Sequence, residues 1–164
     1  MKSEFWKIID SKYFKEKKKY FFQTILSTFC IFIVLLFMDF IDEAAVVSSF
    51  GATAFIVFAL PHSQASSFKK VIGGYSVGIL VGFIFASLCS LIPDVDMVVF
   101  LALGIGISFF IMVLFDVEHP PAVGMTLGLI LDGFNHKTVV IVFSGIALLL
   151  FLKTVLKKYM INLV

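Results

Sequence analysis

Charged residues cut the chain into six runs of apolar side chains, and the length of each run decides what it can do. A helix rises about 1.5 Å per residue, so about 20 apolar residues are needed to cross about 30 Å of hydrocarbon. Four runs are long enough: residues 20–38 between Lys19 and Asp39, 71–92 between Lys70 and Pro93, 97–115, and 138–156. Two are shorter: 44–60, which stops at Pro61, and 120–131, closed by Asp132. A run like the last reaches only about 18 Å. It must be a half-helix, a re-entrant segment or a helix extended by polar residues, and irregular backbone is tolerated in lipid only where protein or a water-filled cavity satisfies it. The pattern predicts an all-α polytopic membrane protein with four full spans and two short segments. Lys153, near the end of the last run, is expected to snorkel to the interface.

Composition agrees. Of 164 residues, 60% are hydrophobic and 15% charged, against about 45–50% and about 25% in soluble domains. One membrane domain is expected: a basic segment over 1–19, a first membrane repeat over 20–92, a second over 93–156 and a tail over 157–164. Every base among the 13 is a lysine. The absence of arginine excludes bidentate anion clamps and an Arg-rich nucleic-acid surface.

Seven lysines (Lys2, Lys7, Lys12, Lys15, Lys17, Lys18, Lys19) precede the first run and three (Lys153, Lys157, Lys158) close the last. Both termini are therefore expected in the cytoplasm, with the chain integral to the cell (inner) membrane. Six spans, or four spans plus two re-entrant segments, both satisfy this. Six place Lys69 and Lys70 inside and four place them outside, so charge favours six. Phe5, Trp6, Ile9 and Tyr13 recur near helical spacing among the basic residues, as in an interfacial helix or a plain positive flank. No small-residue cleavage site follows the first run, so no cleaved signal is expected. Cys30 and Cys89 lie in apolar runs and read as small hydrophobes rather than a disulfide.

The halves share an order: long run, acidic link, short Gly-containing run, loop with His, long run. At a constant offset of 73 residues (51 to 124), Phe50-Gly51-Ala52-Thr53 falls on Val123-Gly124-Met125-Thr126 and Glu43 falls on Asp116. Three crossings per half make the repeats inverted; two with a dip make them parallel. Paired short segments in such repeats point to a transporter's binding site.

The candidate chemistry centres on Glu118-His119-Pro120-Pro121. A residue before proline is pushed out of the α region and proline suits a first helical turn, which holds His119 extended at the mouth of a helix. Behind it the N–H groups of Ala122, Val123 and Gly124 favour an anion, and Thr126 offers a hydroxyl. Ser48, Ser49, Gly51 and Thr53 present the same chemistry in the first half. The alternative is that His-Pro-Pro starts a helix and the small residues serve close packing. Asp116 and Glu118 oppose an anion site unless protonated or turned away. They or His62 are candidates for a gate or proton relay, with a plain connecting loop the leading alternative for His62. Gly74, Gly78, Gly82 and Gly104 read as helix-packing positions. No zinc spacing or nucleotide signature occurs, so neither an enzyme nor a cofactor is expected.

The run His119-Pro120-Pro121-Ala122 with Gly124 and Thr126, together with Phe50-Gly51-Ala52-Thr53-Ala54, Pro61-His62-Ser63 and Val71-Ile72-Gly73-Gly74, resembles the HPP family of integral membrane proteins. The resemblance implies a fold usually described with four transmembrane helices and, from some members, nitrite transport. It puts His119, Pro120, Pro121, Gly124 and Thr126 on one side of a path and Gly51 and Thr53 on the other. Val123-Gly124-Met125-Thr126 departs from the commoner Gly-Ala-Thr-Ala, with bulkier Met125 narrowing that path. Some relatives carry a soluble domain after the membrane part, and none is expected before Val164. The expectation is a permease or channel for a small monovalent anion, nitrite first, in lipid and as a homo-oligomer. A non-transporting scaffold subunit and a proton-coupled small-solute transporter are the alternatives.

Overall fold

The computed structural model describes residues 11–37 and 44–163, and every regular element among them is helical. The helices are α1 (Ser11–Phe37), α2 (Ala44–Ala59), α3 (Phe68–Leu91), α4 (Met97–Leu114), α5 (Pro120–Asp132) and α6 (His136–Leu156), with single 3-10 turns at Gln64–Ser66 and Lys157–Tyr159. Four helical stretches are long and apolar enough to cross a membrane, Lys12–Leu36, Phe68–Leu91, Met97–Leu114 and His136–Tyr159; Ala44–Ala59 and Pro120–Asp132 are shorter. Phe5, Trp6 and Ile9 of the expected interfacial helix lie outside the described residues, but Lys12 to Lys19 extend α1, with a kink at Glu16.

Local chemistry sets the helix ends. The side chains of Ser67, Asp96 and Asn135 accept hydrogen bonds from the N–H groups of Lys70, Val98 and Lys137, the N-cap role these residues favour. Pro120 and Pro121 occupy the first positions of α5, where a missing N–H removes no helical bond. Past α4, Asp116 adopts φ 55, a conformation Asp tolerates better than most residues. Beyond it, Val117 N–H returns to the Met112 carbonyl at 2.9 Å, closing the helix end.

The contacts of α5 give the packing. Against α3, Gly74 faces His119 and Ala122, Gly78 faces Ala122 and Thr126, and Gly82 faces Thr126 and Leu129, so the two helices run parallel. Against α2 the order reverses: Gly128 meets Val46, Gly124 meets Ser49, and His119 meets Thr53. α4 is also antiparallel, with Gly104 beside Ile130 and Ser108 beside Thr126. Small residues let these backbones approach closely, the main device for helix packing where lipid offers no hydrophobic drive.

One end of the bundle gathers the start of α1, the end of α2, the start of α3, the end of α4, the start of α5 and the end of α6. Buried Gln23 of α1 donates to the carbonyls of Phe58 and, at 2.9 Å, of Ile161, and accepts from Ile161 N–H at 3.1 Å. Leu163 N–H donates to the Ala59 carbonyl at 2.8 Å. Successive helices thus alternate in direction. Their outer faces carry exposed Phe21, Phe29, Phe32, Phe109, Phe110 and Phe151, an apolar surface suited to lipid rather than water.

Candidate functional site

His119 sits in the short link before α5, and the proline after it keeps its backbone extended, at φ −138 and ψ 90. That conformation turns the imidazole inward, leaving 1% of the residue exposed. Three elements meet there. His119 Nε2 lies 2.9 Å from Thr53 Oγ1 of α2; Thr53 Oγ1 lies 2.9 Å from the Tyr75 hydroxyl of α3; that hydroxyl lies 3.1 Å from Ser49 Oγ. Ser49 in turn donates to the Val46 carbonyl at 2.7 Å. Phe50 and His119 flank the Tyr75 ring at centroid distances of 5.8 and 5.7 Å.

Ser49 donates to the Val46 carbonyl, while the Tyr75 and Thr53 hydroxyls can each donate or accept, so the role of His119 Nε2 follows its tautomer. His119 Nδ1 is buried without a hydrogen-bond partner, although the Ala65 backbone approaches the ring. A buried polar atom left unpaired costs about 1–3 kcal/mol.

The carboxylates beside the site are turned away from it. Asp116 accepts from Lys69 and Lys70, each at 2.6 Å, and Glu118 accepts from Lys70. Lys69 first and then Lys70 hold the Asp116 carboxyl down from 3.8 to about 2. Lys70 also lowers Glu118. The repulsion expected from these acids is answered by two neighbouring ammonium groups.

The family model described as HPP, transmembrane region, matches residues 14–162. The chain belongs to the HPP family. No curated protein and no solved structure matches it. The His-Pro-Pro run of this HPP chain is thus the hinge on which the buried polar chain is hung, with Pro121 buried behind it and Pro120 exposed.

The remaining expected path residues of the HPP chain divide. Ser49, Thr53 and His119 come together, and Gly124 packs against Ser49, where an added Cβ would lie 3.3 Å from the Ser49 Cβ. Thr126 belongs to a separate buried contact: it donates to the Gly78 carbonyl at 3.0 Å and pairs with Ser108 Oγ at 2.8 Å, tying α5 to α3 and α4. Ser48 and Gly51 lie on the exposed face of α2, Gly51 lining an outer cleft of about 360 Å³ with Thr24, Ser27 and Thr28 of α1. The Ala122 N–H, expected free, donates to the His119 carbonyl at 2.8 Å. His62 binds the C-terminal tail, its N–H donating to Asn162 Oδ1 at 3.0 Å and its Nε2 lying 2.9 Å from the Met160 carbonyl. Lys153 reaches the link between α2 and α3, where it is buried and donates to Ser66.

Tyr75 and Ser108 escaped the sequence reading. Their signal was a lone hydroxyl inside a long apolar run, since a buried Tyr or Ser needs a partner.

Proposed function

We propose that this HPP chain is a permease or channel for a small monovalent anion, with nitrite as the first candidate. The observation that carries this reading is the convergence of an imidazole and three hydroxyls from α2, α3 and the mouth of α5 in a buried place. There the adjacent carboxylates are matched by lysines. Neutral donors can replace part of a small anion's hydration without arginine.

The alternation of the six helices supports six crossings, with the halves as inverted repeats whose short members α2 and α5 meet antiparallel. Lysines concentrated at one end of the bundle support cytoplasmic termini and a place in the inner membrane. Gly73, Gly74, Gly78 and Gly82 are occupied by contacts inside the chain, which weakens the scaffold alternative that rested on them. Ser48, Gly51 and Ala52 on the uncovered face of α2 suit contact between copies in a homo-oligomer.

A second reading, proton coupling, is favoured by the continuous chain from Ser49 to the His119 ring, along which a proton can be handed on.

The test is nitrite entry into proteoliposomes beside empty liposomes, well above the pKa of nitrous acid so that the neutral acid does not cross unaided. Flux above the empty control is expected. Folded protein that passes no nitrite, nitrate, formate or chloride would overturn the reading. Flux of the same size with and without a pH gradient would remove the coupling.

A further inference from the structure

Lys153 is a buried titratable group outside the chain from Ser49 to His119. Among the described residues it is the one buried lysine, 5% exposed, in a chain without arginine. Its ammonium donates to the carbonyl of Ser66 and, at 3.0 Å, to Ser66 Oγ. Ser66 is itself buried and donates to the Leu60 carbonyl at 2.7 Å. Both partners of Lys153 are neutral, and no carboxylate pairs with it among the described residues; the acids near the site are held by Lys69 and Lys70. The charged side chain nearest in sequence is Lys157, one turn on, and of the same sign.

A buried ammonium without a counter-charge is costly. If its role were only to pin the loop, a neutral donor would serve at lower cost. The position of the loop adds a second observation. Ser66 follows Ala65, whose backbone approaches the His119 ring, so the uncompensated cation and the imidazole ring meet consecutive residues of one segment.

We infer that Lys153 is the fixed positive charge that selects anions in this chain, held by Ser66 beside the His119 site. The inference rests on the anion-permease reading and names the residue that sets its sign.

The experiment measures the thermal stability of detergent-purified full chain against increasing sodium nitrite, with sodium gluconate at equal ionic strength as the reference. The parent is expected to gain stability from nitrite. Lys153→Met is expected to weaken the apparent nitrite affinity about tenfold or more, the scale of one charge acting across a low-dielectric interior. Lys153→Arg and Ser66→Ala keep the charge and should keep the response. Nitrite affinity in Lys153→Met equal to the parent's overturns the inference and leaves the permease reading standing. Loss in Ser66→Ala as deep as in Lys153→Met, with no rescue by Lys153→Arg, makes Lys153 a loop pin and also overturns it. A parent that neither responds to nitrite nor carries it removes the permease reading and the inference together.

Discussion

At the scale of single residues, Thr53 has the most to lose. Its hydroxyl is hydrogen-bonded to both His119 and Tyr75, each at 2.9 Å and sealed from solvent. Thr53→Val keeps the shape and removes both contacts, leaving the ring Nε2 without a partner and the Tyr75 hydroxyl with Ser49 alone. A loss of about 1–3 kcal/mol is expected in unfolding measured in mild detergent. Ser76→Ala, which removes a hydroxyl bonded only within its own helix on the exposed face of α3, should stay within about 0.5 kcal/mol of the parent. Equal stability of the two variants would mean that the buried chain is not formed. His119 was legible because proline forces its backbone, and Thr53 because it falls in the small-polar run of the first half. The expected facing of two helix starts is not found, since Thr53 lies in the second half of α2 and the start of α2 meets the far end of α5. Tyr75 was not, because its partners lie 22 and 26 positions earlier in the sequence, and periodicity carries no information about which face of one helix meets another.

Among elements, α5 is the piece on which the others are assembled. Its α3 face is read by glycines, and an added Cβ at Gly78 would run into the carbonyl oxygen of Ala122, backbone that cannot swing aside. Gly78→Ala should therefore cost about 1–3 kcal/mol as the helices are forced apart. Gly106 faces open space, so Gly106→Ala should be neutral or stabilising by up to about 1 kcal/mol. Melting curves of the two variants check this, and a harmless Gly78→Ala would contradict the α3–α5 register. The six elements and most of their limits followed from run lengths, since charge and proline stop a membrane helix on physical grounds. The exception is the extension of α1 back through Lys12 to Lys19: a positive flank and a helix carry the same sequence signal. Run length likewise could not decide whether α2 and α5 span or re-enter. The helix directions needed the packing pairs.

For the whole molecule, the distribution of charge is the organising feature. In the six-span arrangement, cysteines introduced at exposed Gln64 and exposed Asp94, in a background without Cys30 and Cys89, should react with impermeant reagent from opposite sides, Gln64 from the side of both termini. Labelling of Gln64 from the other side would favour re-entrant segments. The acid limit follows from the ion-pair cluster. Asp116 is held at about 2 against an ordinary 3.8, by Lys69 and then Lys70. The unfolded chain takes up this proton first, so the contribution of Asp116 is fully present above 3.8 and is lost as pH falls toward about 2. The effect is small because the pair is exposed. Thermal melts of Asp116→Asn between pH 6 and 2 should show a shallower acid decline than the parent; parallel curves would contradict the pairing. Lysine counting made the basic end legible. It could not show that Lys69 and Lys70 also neutralise the acids beside His119, which depends on the turn after α4.

The central claim is that the His119–Thr53 junction lines an anion pathway. The most direct test compares initial nitrite influx at alkaline pH in proteoliposomes holding equal amounts of folded parent, His119→Ala and Thr53→Val. Flux in the parent above empty liposomes is expected, with a fall of tenfold or more in His119→Ala and Thr53→Val also impaired. Parent-like flux in both variants would contradict it and send the pathway elsewhere in the bundle.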